Sequence, residues 1–150
     1  MTNESSFFKF IPINWNYLAV ILLLVGENEL ALTSINKALK FLDETTNKFV
    51  FLDTKAEILH KKKEDDEAFE VFSKILELDK DDDKLKPFYA ETCWKAAKTA
   101  KALGLTDKYV ELLKEACYHN NDIYCTDKKV QKKIENYCLK NKDLLDDSKD

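Results

Sequence analysis

The chain repeats itself, and that repetition limits its fold more than any other feature. The block Gly26-Glu27-Asn28-Glu29-Leu30-Ala31-Leu32-Thr33-Ser34-Ile35-Asn36-Lys37-Ala38-Leu39 returns 37 residues later as Lys63-Glu64-Asp65-Asp66-Glu67-Ala68-Phe69-Glu70-Val71-Phe72-Ser73-Lys74-Ile75-Leu76. Ala31 aligns with Ala68, Ile35 with Phe72, Lys37 with Lys74 and Ala38 with Ile75. A third version, Gly104 to Ala116, follows 41 residues after the second and carries Tyr109, Leu113 and Ala116 in the matching places. Each block has an upstream companion. Trp15, Leu18, Ala19 and Leu22 recur as Leu52, Lys55, Ala56 and Leu59, then as Cys93, Ala96, Ala97 and Ala100. Spacings of three and four place such residues on one face of an α-helix. Each unit therefore reads as two amphipathic helices joined by a short polar turn, with joints at 26–29, 62–66 and 104–107. A period of this length is the signature of a repeat architecture.

Composition agrees. Among 150 residues there are two glycines and two prolines, where an average chain would hold roughly ten and about seven. β-Sandwiches need frequent turn signals and phosphate-cradling loops need glycine, so both are disfavoured. The net charge of −4 speaks against nucleic acid as the main partner. All 24 basic residues are lysine, which binds anions as a point charge without the bidentate fork of arginine. The apolar run Tyr17–Val25 is too short to span a bilayer, which takes about twenty residues, and lacks the flanks of a secretory signal. A cytoplasmic location is expected, with no membrane span.

Between the units, 43–47 and 79–86 read as linkers, with Pro87 in the first turn of the following helix. The run Asp81-Asp82-Asp83 reads as a solvated turn. The loop His119–Asp122 closes the third unit, 127–145 reads as one more helix, and the tail 146–150 as disordered. The expected organisation is an N-terminal segment at 1–12, a repeat domain at 13–145 and the tail.

These residues resemble the tetratricopeptide repeat (TPR), in which two antiparallel helices make a unit of about 34 residues. The first unit follows the pattern through Trp15, Leu18, Ala19, Leu22, Gly26, Ala31, Ile35 and Ala38. The second follows through Leu52, Ala56, Leu59, Ala68, Phe72 and Ile75, with Lys63 at the usual turn glycine. The third keeps Ala97, Gly104, Leu113 and Ala116 but has Tyr109 where a small residue is usual. The resemblance covers 13–118. It implies an all-α, right-handed superhelix, an α-α solenoid of about three TPR-like hairpins, with a C-terminal capping helix. It also implies a non-enzymatic module or adaptor that takes a peptide or protein partner in a concave groove lined by the first helices of the hairpins.

Carried onto this chain, the groove positions are Asn16, Val20 and Leu23; Asp53, Glu57, His60 and Lys61; and Glu91, Trp94, Lys98 and Lys101. Trp94 shares its face with Lys98 and Lys101, and an aromatic flanked by ammonium groups suits an acidic or C-terminal peptide. Chaperone-binding members use a lysine-and-asparagine clamp. Here the corresponding residues are Asn16 and Val20, then Thr54 and Glu57, so no chaperone tail is expected.

The first helix is apolar on every side, and a helix of that kind needs cover all round. Either the segment Phe7–Ile11 folds back over it, or a second copy, a partner protein or a further repeat covers it. The second functional reading follows from this: a structural subunit that dimerises, or docks onto a larger assembly, through that helix. Cys117, His119, Cys125 and Cys138 are the only group suggestive of zinc or a disulfide, and their spacing matches no metal motif. Cys93 and Cys117 read as small core residues. No catalytic motif is present, and no cofactor or enzyme activity is expected.

Overall fold

The computed structural model describes residues 2–43, 48–79, 86–119 and 128–140. The expectations for most of the linkers, Asp81–Asp83, the loop after His119, Cys125 and the tail lie outside these residues. Seven helices occupy the described residues, with no strand among them: α1 (Thr2–Leu24), α2 (Asn28–Lys40), α3 (Phe49–Lys61), α4 (Asp65–Asp79), α5 (Lys86–Ala102), α6 (Thr106–His119) and α7 (Lys128–Lys140). Pro87 is the second residue of α5, where its missing N–H is harmless. One expectation is corrected. Residues 2–12 do not turn back over the first helix; they are its opening turns, and α1 runs straight through Pro12.

The three hairpins close by the same backbone device. At the end of α1, Gly26 N–H donates to the Leu23 carbonyl (3.2 Å) and Glu27 N–H to that of Leu22 (2.8 Å). After α3, Lys63 N–H donates to His60 (3.0 Å) and Glu64 N–H to Leu59 (2.9 Å). After α5, Gly104 N–H donates to Lys101 (3.1 Å) and Leu105 N–H to Ala100 (2.9 Å). This paired pattern is the Schellman motif, which needs a left-handed residue just past the helix. Gly26 (φ 88°), Lys63 (φ 64°) and Gly104 (φ 73°) supply it. The next helix then starts in the same way each time, with Ala31, Ala68 and Tyr109 N–H donating to Glu27, Glu64 and Leu105. The 37- and 41-residue offsets are thus repeated in the hydrogen bonds themselves.

The chain divides into two compact units, Met1–Ile75 and Leu76–Asp150. In the first, Ala19 of α1, Ala31, Ile35 and Ala38 of α2, and Phe51 and Ile58 of α3 form one buried cluster, with Trp15, Leu22, Leu23 and Leu39 packed against it. Ala19, Ala31 and Ala38 are fully buried because methyl groups at the crossing let the backbones approach closely. Leu59, Ala68, Phe72 and Ile75 are also buried along α3 and α4. Lys62 fastens the α3–α4 turn, reaching Glu64 (2.7 Å) and Glu29 at the start of α2 (3.0 Å). The hydrogen bond to Glu64, then that to Glu29, raises the Lys62 pKa above its ordinary 10.5.

In the second unit, Ala97 of α5, Leu113 and Cys117 of α6, and Val130 of α7 form the buried cluster, with Trp94, Tyr109, Leu112 and Ile134 against it. Cys93 and Cys117 are buried, as expected of small core residues. Hydroxyls inside the helices are satisfied locally, Thr92 donating to the Phe88 carbonyl (3.0 Å) and Thr99 to that of Ala96 (2.8 Å). Among the described residues no helix is long and apolar enough to cross a membrane.

Candidate functional site: a lysine-rimmed cavity on the second unit

The sequence-predicted groove residues fall into two sets. In the second unit, Trp94, Lys98 and Lys101 stand in successive turns of α5 and line one cavity of about 250 Å³. α6 contributes Tyr109 and Leu113 to it, and α7 contributes Lys129, Val130 and Lys133. Trp94 is half-buried with one side in the hydrophobic cluster, while Lys98, Lys101, Lys129 and Lys133 are exposed at the rim. The cavity has an apolar floor and a cationic edge, and among the described residues none that lines it is acidic.

Tyr109 organises the centre. Lys101 Nζ lies 5.8 Å from its ring centroid and Lys133 Nζ 5.4 Å. Lys133 also donates to the phenol oxygen at 3.3 Å. Two ammonium groups beside one aromatic ring are attracted to it, each by about 0.5–1 kcal/mol at most at an exposed site. They remain short of anionic partners. Among the described residues, neither Lys98, Lys101 nor Lys133 has a carboxylate within ion-pair distance, whereas Lys95 pairs with Glu91 (3.4 Å) and Lys108 with Glu111 (3.1 Å). The arrangement concentrates positive charge around an aromatic floor in a chain whose net charge is −4.

Glu91, also on α5, does not line the cavity and pairs with Lys95 instead. The other groove positions lie in the first unit. Val20 is exposed on α1. Asn16 is only 8% exposed, and among the described residues its Oδ1 accepts no hydrogen bond, so it offers a partner little surface. Asp53 and Glu57 are half-buried on α3 and each engages a neighbour. His60 is tied back to the next helix, its Nδ1 2.6 Å from Asp65 Oδ1. No described cavity gathers these five.

Of the zinc candidates, the side chains of Cys117 and His119 fall within the described residues. Cys117 packs in the hydrophobic cluster. His119 sits edge-on to Tyr89 (4.7 Å) and Tyr118 (5.1 Å) and pairs with Glu115 at 3.4 Å. Among the described residues no three potential ligands come together.

Sequence reasoning missed Lys129, Lys133 and Tyr109 as site residues. The lysines lie beyond a connection whose path no periodicity reveals. Tyr109 did carry a signal: it breaks the small-residue position held by Ala31 and Ala68, both fully buried. The residue that departs from the repeat is the one the lysines gather around.

No family model matches the sequence, and no curated protein is significantly similar to it. Solved structures are. The TPR2AB domain of yeast Sti1, determined as a pHSP90 complex, superposes with a TM-score of 0.63 at 13% identity, over 91% of this chain and 50% of that one. The chain thus spans about half the length of that structure. A putative kinesin light chain from Podospora anserina, with nearly identical TPR-like repeats, superposes with a TM-score of 0.68 at 12% identity, over 93% of this chain and 69% of that one. At such identity the likeness speaks to architecture, and together with the three matching hairpin closures it shows that this chain has the all-α helical-repeat fold of tetratricopeptide-repeat proteins.

Proposed function

We propose that this chain is a non-enzymatic interaction module that binds an acidic peptide segment of a partner protein at the α5–α6–α7 cavity. The observation that carries the reading is the gathering of Lys98, Lys101, Lys129 and Lys133 around Trp94 and Tyr109. Carboxylates of an extended segment would meet the ammonium groups at the rim, and its apolar side chains would cover the indole. Charge of this kind favours encounter and register more than raw affinity, with the aromatic contacts supplying the anchor. That the similar Sti1 domain was determined as a pHSP90 complex supports a peptide ligand in general. The residues here differ from a lysine-and-asparagine clamp, so the reading does not extend to chaperone tails. A cytoplasmic setting belongs to the proposal.

The test is a titration with a synthetic Asp/Glu-rich peptide containing leucine, followed by tryptophan fluorescence and calorimetry. Binding should weaken with salt, fall on Lys98→Glu and Lys133→Glu, and disappear on Trp94→Ala. An uncharged peptide of equal hydrophobicity should bind at least tenfold more weakly. If the acidic peptide fails to bind, or binds equally well to all three variants, the proposal is wrong.

A further inference from the structure

The exposed apolar residues of α1 form a second surface, independent of the cavity. Ile13, Tyr17, Leu18, Val20, Ile21 and Leu24, with Val25 just beyond the helix, are all at least 36% exposed, and Leu30 of α2 adds to them. Among the described residues, eight of the fifteen large exposed apolar side chains therefore lie between positions 13 and 30. The spacing of 13, 17, 20 and 24 is that of a helix-packing stripe. Together these side chains offer on the order of the 800 Å² per partner that a standard interface takes.

The repeat register tells what kind of surface this is. Ala19, Ala56 and Ala97 are equivalent, and all are fully buried. Two residues further on, Ile21 corresponds to Ile58 and Thr99. Ile58 and Thr99 are completely buried, but Ile21 is 57% exposed. Tyr17 corresponds to Thr54, and their exposures are 64% and 5%. In the middle repeat the reason is visible: Ile58 packs among Ala31, Ile35 and Ala38, on the second helix of the preceding hairpin. The α1 face thus occupies the register at which a hairpin receives its neighbour. A face that met only water would be polar at these positions.

The last described helix contrasts with it. Lys128, Lys129, Gln131, Lys132, Lys133, Glu135 and Asn136 of α7 are all exposed. A polar helix of that composition does not complement an apolar stripe, so head-to-tail addition of copies is disfavoured. The surface in a second molecule that does complement it is the same α1 face, which makes a closed, isologous pair.

We infer that two copies of this chain dimerise symmetrically, α1 against α1, through Ile13, Tyr17, Ile21 and Leu24. None of these four residues lines the lysine-rimmed cavity, so the dimer stands whether or not that cavity binds peptide.

Light scattering coupled to gel filtration tests the pairing on the 150-residue chain at several concentrations. The expected mass is twice the 17.5 kDa of the chain. Ile21→Glu and Tyr17→Glu, both on exposed positions, should return it to the monomer mass with helicity unchanged, and Leu105→Glu should leave the dimer intact. An Ile21→Cys variant should cross-link on mild oxidation, because a symmetric contact brings its two copies together. A monomer at every concentration would overturn the inference, as would a dimer that survives both glutamates or an Ile21→Cys chain that fails to cross-link.

Discussion

Lys133 of α7 holds the phenol of Tyr109 on α6, its Nζ 3.3 Å from the hydroxyl and 5.4 Å from the ring centroid. The contact spans 24 residues of sequence and joins the capping helix to the hairpin before it. Tyr109 stands where the two earlier repeats have a buried alanine. The third hairpin carries there an aromatic ring beside two ammonium groups.

Tyr109→Ala should separate those two roles. The variant restores the small residue of the repeat and should keep its helicity. Its affinity for an acidic peptide should drop several-fold, from the loss of cation–π contacts worth about 0.5–1 kcal/mol each. Tyr109→Phe keeps the ring and should retain most of the affinity. Calorimetric titration of both variants distinguishes the ring from the hydroxyl.

Lys63 is the one left-handed residue among the described positions that is not glycine. A side chain in that conformation costs about 1 kcal/mol or more relative to glycine. Lys63→Gly should therefore stabilise the protein by about 1 kcal/mol. Gly26→Ala and Gly104→Ala should destabilise by a similar amount, although an added methyl would meet no neighbour at either site. Urea denaturation of the three variants reads the sign directly. A Lys63→Gly chain less stable than the parent would mean that the turn is not left-handed.

The core tolerates neither more volume nor less. Phe72 is 1% exposed, and Phe72→Ala should cost about 3–5 kcal/mol. Ala31 and Ala56 are fully buried, and Ala→Leu at either should cost about 1–3 kcal/mol by forcing the helices apart. Ala102 is exposed on α5, and the same change there should be nearly neutral. Thermal melts rank the four variants.

Lys62 links stability to pH in one direction only. Its hydrogen bonds to Glu64 and Glu29 raise its pKa above 10.5. A raised lysine contributes fully below its ordinary value and loses the contribution as pH climbs through the higher, folded-state one. Lys62→Met should therefore lower the melting temperature slightly, by an equal amount at pH 7 and pH 9. The difference from the parent should close only at pH above the ordinary lysine range.

Much of the fold was legible because helices write their faces into the chain at a fixed period. Ala19, Ala56 and Ala97 could be aligned by spacing alone, and so could Ala31, Ala68 and the turn residues. Lys63 at a glycine position looked like a breach of the pattern, yet its backbone closes the hairpin as the glycines do. The reading failed where the repeat stops. Nothing in the sequence indicates that Lys129 and Lys133 come beside Lys98 and Lys101, since no repeat spacing carries the pattern past the third hairpin. The segment before Ile13 was also misjudged: it is not separate from the first helix but part of it, with Pro12 carried inside α1.

The three matching turns have a further bearing on how the chain comes to be folded. Each closure joins helices only a few residues apart, so little loop entropy stands between the disordered chain and a formed hairpin. A newly made segment can close as soon as its second helix emerges, without waiting for distant sequence. By the same reasoning, loss of structure can begin at one hairpin while its neighbours hold, and partial opening becomes a local event.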